Sequence, residues 1–166
     1  MTKNELDLLV KGLPKYPGIL NKQKYWNSAV LIPLIWLEGE YHLLFQIRGK
    51  TIRQGGEICF PGGKIEKGET ELEAVVRETV EEIGVLPSQI HILGRMDTLV
   101  ATFGTTVDIF IGILEVENVD QLVHNDREVE RLFTIPVSFF VGQAPETYHI
   151  RIEVQTSFTD YEGKEQ

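Results

Sequence analysis

Glu78, Glu81 and Glu82 are the residues of this chain whose type and spacing point most directly to chemistry. On an α-helix, side chains three and four positions apart share a face, so these carboxylates would gather. Like charges at that spacing each cost a helix a few tenths of a kcal/mol, and near a helix C-terminus the macrodipole disfavours anions further. The face is expected to lack a basic residue four positions away that would offset either cost. An acidic helix face is ordinarily a solvated one. The alternative is a bound hard divalent cation, because Mg²⁺ takes carboxylate oxygens together with water and substrate phosphate oxygens.

The helix that must carry these residues is written into Gly68 to Gly84. Thr70 with Glu73 three residues later forms a capping box, and Gly84 supplies a left-handed stop. Leu72, Val75, Val76, Thr79, Val80 and Ile83 form an apolar stripe, with the three glutamates on the other side. A loop from Arg48 to Gly63 with five glycines leads into this helix. Ahead of the loop, Ser28 to Leu37 and Tyr41 to Ile47 read as strands joined at Gly39, with Pro33 marking an edge or an irregularity. Asn4 to Gly12 reads as a short helix. Beyond the acidic helix, Ile90 to Met96, Val107 to Glu117, Val129 to Ile135 and Thr147 to Val154 read as strands, and Val137 to Phe140 as a helical turn. The fold class is α+β: a mixed sheet with one strong helix.

At 166 residues and 42% hydrophobic composition, the chain has the size of one domain with a core. Residues 1–25 read as an N-terminal extension and residues 156–166 as a polar, mobile tail. A net charge of −9 argues against polymeric nucleic acid and anionic membrane surfaces as partners. A small anionic substrate remains compatible, since a bound divalent cation reverses the local field. There is no apolar run near the length of a membrane span and no signal-peptide layout, which leads to the expectation of a cytoplasmic protein. Cys59 is alone and reads as a small buried hydrophobe. His42, His91, His124 and His149 lack metal-ligand spacing, and Trp26 and Trp36 read as core or interface residues.

From Gly63, five residues lead to Glu69 and seven more to Arg77-Glu78, followed by Glu81-Glu82, Gly84 and Val85. This segment resembles the Nudix box, with Thr79 at a position the family usually fills with an aliphatic residue. The resemblance implies a Nudix fold, a mixed sheet sandwiched by helices, and hydrolysis of the diphosphate bond in a nucleoside diphosphate derivative. It also implies Mg²⁺ or Mn²⁺ as cofactor, with Glu78, Glu81 and Glu82 as ligands. Glu69 and Arg77 would form a supporting ion pair, while Gly63 and Gly84 meet backbone needs. The family often takes a further carboxylate from outside the helix; Glu128 is favoured over Glu130 as the base. No amphipathic segment follows Val154, so the closing C-terminal helix is expected to be missing. A second copy of the chain, as a homodimer, is one way to complete the domain.

Leu43-Leu-Phe-Gln-Ile-Arg-Gly through Phe60-Pro-Gly-Gly, with Ala29-Val-Leu-Ile-Pro-Leu before it, is similar to the coenzyme A diphosphatase branch. Arg53 stands one residue closer to Gly56 than in that branch, and Phe45 replaces a threonine. On this resemblance Arg53 contacts the substrate phosphates, with Arg48 and Lys50 competing for the role, and Gly62 and Gly63 form the turn beside them. The implied substrate is coenzyme A or an acyl-coenzyme A, yielding a phosphopantetheine and adenosine 3′,5′-bisphosphate. ADP-ribose, NADH and dinucleoside polyphosphates are the alternatives within the enzyme reading. A catalytically silent nucleotide sensor is the alternative outside it.

Overall fold

The computed structural model describes residues 2–13, 18–101 and 104–151. In chain order its elements are α1 (Lys3–Lys11), β1 (Trp26–Leu37), β2 (Glu40–Arg48), β3 (Ile58–Cys59) and β4 (Gly62–Lys64). There follow α2 (Glu71–Ile83), β5 (Ile90–Arg95), β6 (Leu99–Ala101), β7 (Thr105–Leu114), β8 (Val129–Pro136) and α3 (Val137–Val141). The alternation of buried and half-buried residues along β1, β2 and β7 is the period-two pattern of strands with two apolar faces. Thr147 to Val154, expected as a strand, has no regular structure over residues 147–151; residues 152–154 and the tail 156–166 lie outside the described residues.

All eight strands join one mixed sheet, with the path β3-β2-β1-β7-β5. β1 and β7 run parallel over Trp26 to Leu34, and the other pairs are antiparallel. β1 is therefore central, and Pro33 does not mark an edge. It marks the irregularity. On one side β1 pairs first with β4, at Ser28 to Val30, and then with β2, at Leu34 to Leu37. Leu31 gives its N–H to the Pro61 carbonyl (2.9 Å), so by alternation position 33 turns its nitrogen toward the gap between those two partners. A proline lacks that donor and fits there without loss.

α2 covers one face of the sheet, burying Leu31, Ile35, Leu44, Val75, Ile83, Phe110 and Leu114 in one cluster. On the other face Val30, Ile32, Leu34, Phe45, Ile109 and Ile111 are half-buried, and the short α3 packs there against β2 and β8 through Phe140. α1 buries none of its residues. Asp108, fully buried on β7, binds Lys22 (2.6 Å), Arg95 (2.5 Å) and Thr98 (2.6 Å). Burial opposes its charge, but these partners outweigh that and hold its carboxyl below the usual range. Lys22 also reaches Glu71 in the first turn of α2 (3.0 Å), so the segment before β1 is tied to the helix start.

Candidate functional site

The ends of α2 form as expected: Thr70 and Glu73 close a capping box, and Gly84 takes φ +81°. The buried face differs. Ala74, Val75, Thr79, Glu82 and Ile83 are buried, whereas Leu72 is 45% exposed and Val76 and Val80 are partly so. At 100° per residue the buried arc is turned roughly 60° from the apolar stripe, toward the glutamates. Glu82 consequently points into the protein and is 4% exposed; Glu78 is half-buried and Glu81 exposed. Thr79 is accommodated inside because its hydroxyl donates to the Val75 carbonyl at 2.7 Å.

β4 lies directly against these carboxylates. The Gly62 N–H donates to Glu82 Oε2 at 2.9 Å. A Cβ at Gly62 would sit 2.3 Å from the Ala29 carbonyl oxygen of β1, and one at Gly63 would sit 2.5 Å from the Glu78 carboxylate carbon. Gly62 thus lets β4 lie close against β1, and Gly63 leaves the space that Glu78 fills. Burial pushes the Glu82 carboxyl up to about 7, against the Gly62 hydrogen bond and the Arg48 charge, which favour ionisation. Burial also raises Glu78; Arg77 opposes this, while Glu81 and Glu128 add repulsion.

Arg77 holds the outer side. It forks onto Glu69 (Nε to Oε1 2.7 Å, Nη2 to Oε2 3.1 Å) and also donates to Glu78 Oε1 (2.9 Å), Glu81 Oε2 (3.1 Å) and the Lys64 carbonyl (3.1 Å). The expected Glu69–Arg77 pair is present. The expectation of no compensating base four positions away is corrected, because Arg77 stands four before Glu81 and pairs with it. The Arg77 bond holds the Glu69 carboxyl below its usual range, aided by the Glu66 N–H.

Glu128 and Glu130 are separated by the structure. Asn125 donates its N–H to the Glu82 carbonyl at 3.0 Å, and its own carbonyl accepts from Glu128 N at 3.0 Å. This turn anchors Glu128, half-buried, to the end of α2 and within electrostatic reach of Glu78. Glu130 is exposed and pairs with Lys50 at 2.9 Å, which takes Lys50 away from the carboxylates. Arg48 Nε donates to the Arg53 carbonyl at 3.1 Å, and its charge acts on Glu82. Arg53 is exposed on the loop. Beside the Glu128 turn opens a cleft of about 410 Å³ lined by Gly49, Lys50, Thr51, Asp126, Arg127 and Glu130. A larger cavity of about 740 Å³, lined by Trp36, Tyr41, Glu115 and Leu122 among others, contains none of these carboxylates.

Among the described residues, no three His, Cys, Asp or Glu side chains are gathered into a ready metal cage. The donor set nevertheless suits a hard cation: carboxylates only, with Glu78 and Glu82 raised chiefly by burial and further by repulsion from neighbouring carboxylates, and with Arg77 occupying the side that Glu78 and Glu81 share. The sequence reading missed Gln46. It is fully buried on β2 beside Glu82, close enough to favour the ionised carboxylate, yet neither heteroatom of its amide meets full hydrogen-bond geometry with a partner among the described residues. A polar residue in phase with His42 and Leu44 on the buried face of β2 was the available signal. Trp26 and Trp36 are more than half exposed and not core, with Trp36 edge-on to Tyr41 at 4.9 Å.

The NUDIX domain family profile matches residues 26–150. The chain is 39% identical over 137 residues to Nudix hydrolase 3 of Caenorhabditis elegans, covering 78% of this chain and 56% of that protein. It is 32% identical over 123 residues to the mouse peroxisomal coenzyme A diphosphatase NUDT7, covering 73% of this chain and 50% of that one. The chain thus spans about half the length of these curated relatives. Among solved structures, the Nudix hydrolase RenU of M. smegmatis superposes with a TM-score of 0.59 at 22% identity over 71% of this chain and 76% of that one. A C. elegans Ap4A hydrolase superposes with a TM-score of 0.58 at 20% identity, over 69% and 83% respectively. These likenesses identify the fold. No helix among the described residues is long and apolar enough to cross a membrane.

Proposed function

This chain belongs to the NUDIX domain family, and from that premise we propose that it hydrolyses the diphosphate bond of a nucleoside diphosphate derivative, using Mg²⁺ or Mn²⁺. The observation that carries the reading is Glu82: a carboxylate held 4% exposed by a backbone N–H, next to Glu78, on the helix turned inward to place it there. An acid buried at this cost, with no cationic side chain bonded to it among the described residues, calls for a cation from solution. Glu78, Glu81 and Glu82 would hold that ion, with Arg77 giving up its bonds to Glu78 and Glu81 and keeping its fork on Glu69. When bound, such a cation neutralises phosphate oxygens and makes water more acidic. Glu128, anchored by Asn125, takes the proton from the attacking water. Arg48 and Arg53 orient the phosphates, Gly62 holds Glu82 through its N–H, and Gly63 leaves room for the Glu78 carboxylate.

As substrate we propose coenzyme A or an acyl-coenzyme A, giving (acyl-)phosphopantetheine and adenosine 3′,5′-bisphosphate. The Leu43 to Gly63 segment and the 32% identity to a coenzyme A diphosphatase support this choice. The test is a panel of coenzyme A, acetyl-coenzyme A, ADP-ribose, NADH and diadenosine tetraphosphate with Mg²⁺ or Mn²⁺, products identified by mass. Turnover of ADP-ribose with none of coenzyme A would overturn the substrate. Nucleotide binding without turnover of any panel member would overturn the enzyme in favour of a sensor.

A further inference from the structure

Gln46 belongs to the same neighbourhood but has a role the reading above does not use. Along β2, His42, Leu44 and Gln46 face the core under α2, and Gln46 is fully excluded from solvent. It pairs in register with Cys59, three residues before the Gly62 N–H that binds Glu82. An amide carries two donors and an acceptor, and a buried side chain of this kind normally has them satisfied. Here both Nε2 and Oε1 lack a partner. A methionine or leucine would fill the same volume without leaving polar atoms stranded, so stability alone gives no reason for an amide at this position. The amide lies beside Glu82, close enough to favour its charged form.

We infer that Gln46 is a positioning residue: its amide N–H, together with the Gly62 N–H, steadies the Glu82 carboxylate so that it faces the cation. This rests on the reading of Glu82 as a metal ligand. With Glu82 turned to a cation, Nε2 of Gln46 would donate to the carboxylate oxygen that does not bind the ion. Support of a metal-binding carboxylate by such a neighbour is typically reflected in a ten- to hundredfold change in metal affinity.

The experiment is a calorimetric titration of the whole chain with Mn²⁺ alone, run on wild type, Gln46→Met, Gln46→Asn and Glu82→Gln, with melting curves for each. Gln46→Met should melt at or above the wild-type temperature, bind Mn²⁺ ten- to a hundredfold more weakly, and lose kcat on the turned-over diphosphate while KM moves less than threefold. Gln46→Asn, with the amide withdrawn by one methylene, should weaken Mn²⁺ in the same direction while keeping a polar core. Wild-type Mn²⁺ affinity in a folded Gln46→Met variant overturns the inference while Glu82→Gln still loses the ion. Loss of the melting transition in Gln46→Met also overturns it, by making the amide a structural group. If Glu82→Gln binds Mn²⁺ like wild type, the ligand assignment itself fails and the inference falls with it.

Discussion

Replacing Glu82 by glutamine should stabilise the metal-free protein while abolishing its chemistry. Burial moves the Glu82 carboxyl from an ordinary value of 4.5 up to about 7. An acid whose folded pKa is raised contributes stability that is present below its unfolded value and is lost as pH rises through the folded one. At ~1.4 kcal/mol per unit, ionising Glu82 costs the fold about 3 kcal/mol at pH 8 and about 1 kcal/mol at pH 5. Glutamine removes that cost and can still accept from the Gly62 N–H. For a chain of this length, ~3 kcal/mol corresponds to a rise in Tm of roughly 6–12 °C at pH 8 and a much smaller one at pH 5. The assay is thermal unfolding in a chelator at both pH values. Saturating Mn²⁺ should then favour wild type, which gains about 2.7 kcal/mol when the ion is at a hundred times its Kd, while the variant gains little. A Glu82→Gln protein that melts below wild type at pH 8 in chelator, or a gap equal at both pH values, would refute the reasoning.

Gly63→Ala would set a Cβ 2.5 Å from the Glu78 carboxylate, the end of a flexible side chain, so the carboxylate swings away and the fold stays. The expected outcome is a Tm within a few degrees of wild type with Mn²⁺ affinity and turnover down at least tenfold; unchanged turnover counts against Glu78. Gly84→Ala should act oppositely, because φ is +81° and the new Cβ would meet the Val123 carbonyl, which is backbone. Strain and clash together should lower stability by ~2–4 kcal/mol, read as a drop in the denaturation midpoint. Glu128→Gln should lower kcat by roughly 10²–10⁴-fold with Mn²⁺ affinity changed only a few-fold, whereas Glu130→Gln, which merely frees Lys50, should stay near wild type. Equal losses in the two variants would remove Glu128 from the role of base.

Much of the fold was legible because its signals are local. Thr70, Glu73 and Gly84 set the ends of α2 through hydrogen bonds within one turn, and the alternation in β1, β2 and β7 needs no knowledge of the partner strand. What could not be read was pairing. Pro33 looks like an edge residue until β4 and β2 are seen to divide one side of β1 between them. β3, β4 and β6 span only two or three residues each, and they are strands because longer neighbours supply the partners. Residues 147–151 show the converse, a β-like composition with no regular structure.

The acidic helix exposes a deeper limit. Periodicity assigns the inward face to the most apolar arc, and by that rule Leu72, Val76 and Val80 belong inside while the glutamates belong in water. α2 is turned away from that optimum. The turn leaves Leu72 exposed, buries Glu82, and depends on features outside the helix: the Gly62 N–H on Glu82, the missing side chain of Gly63, the Asn125 bond to the Glu82 carbonyl, and Arg77 reaching Glu69. None of these contacts follows from hydropathy. The pattern identified which residues are acidic and close together; only the packing distinguishes Glu82, which is buried, from Glu81, which is exposed and pairs with Arg77. The conflict between apolar periodicity and actual burial is therefore itself informative. A helix that buries Glu82 while exposing Leu72 would suit a ligand supplied by solvent, and the stability gained on neutralising Glu82 would measure how far that arrangement departs from the fold's own preference.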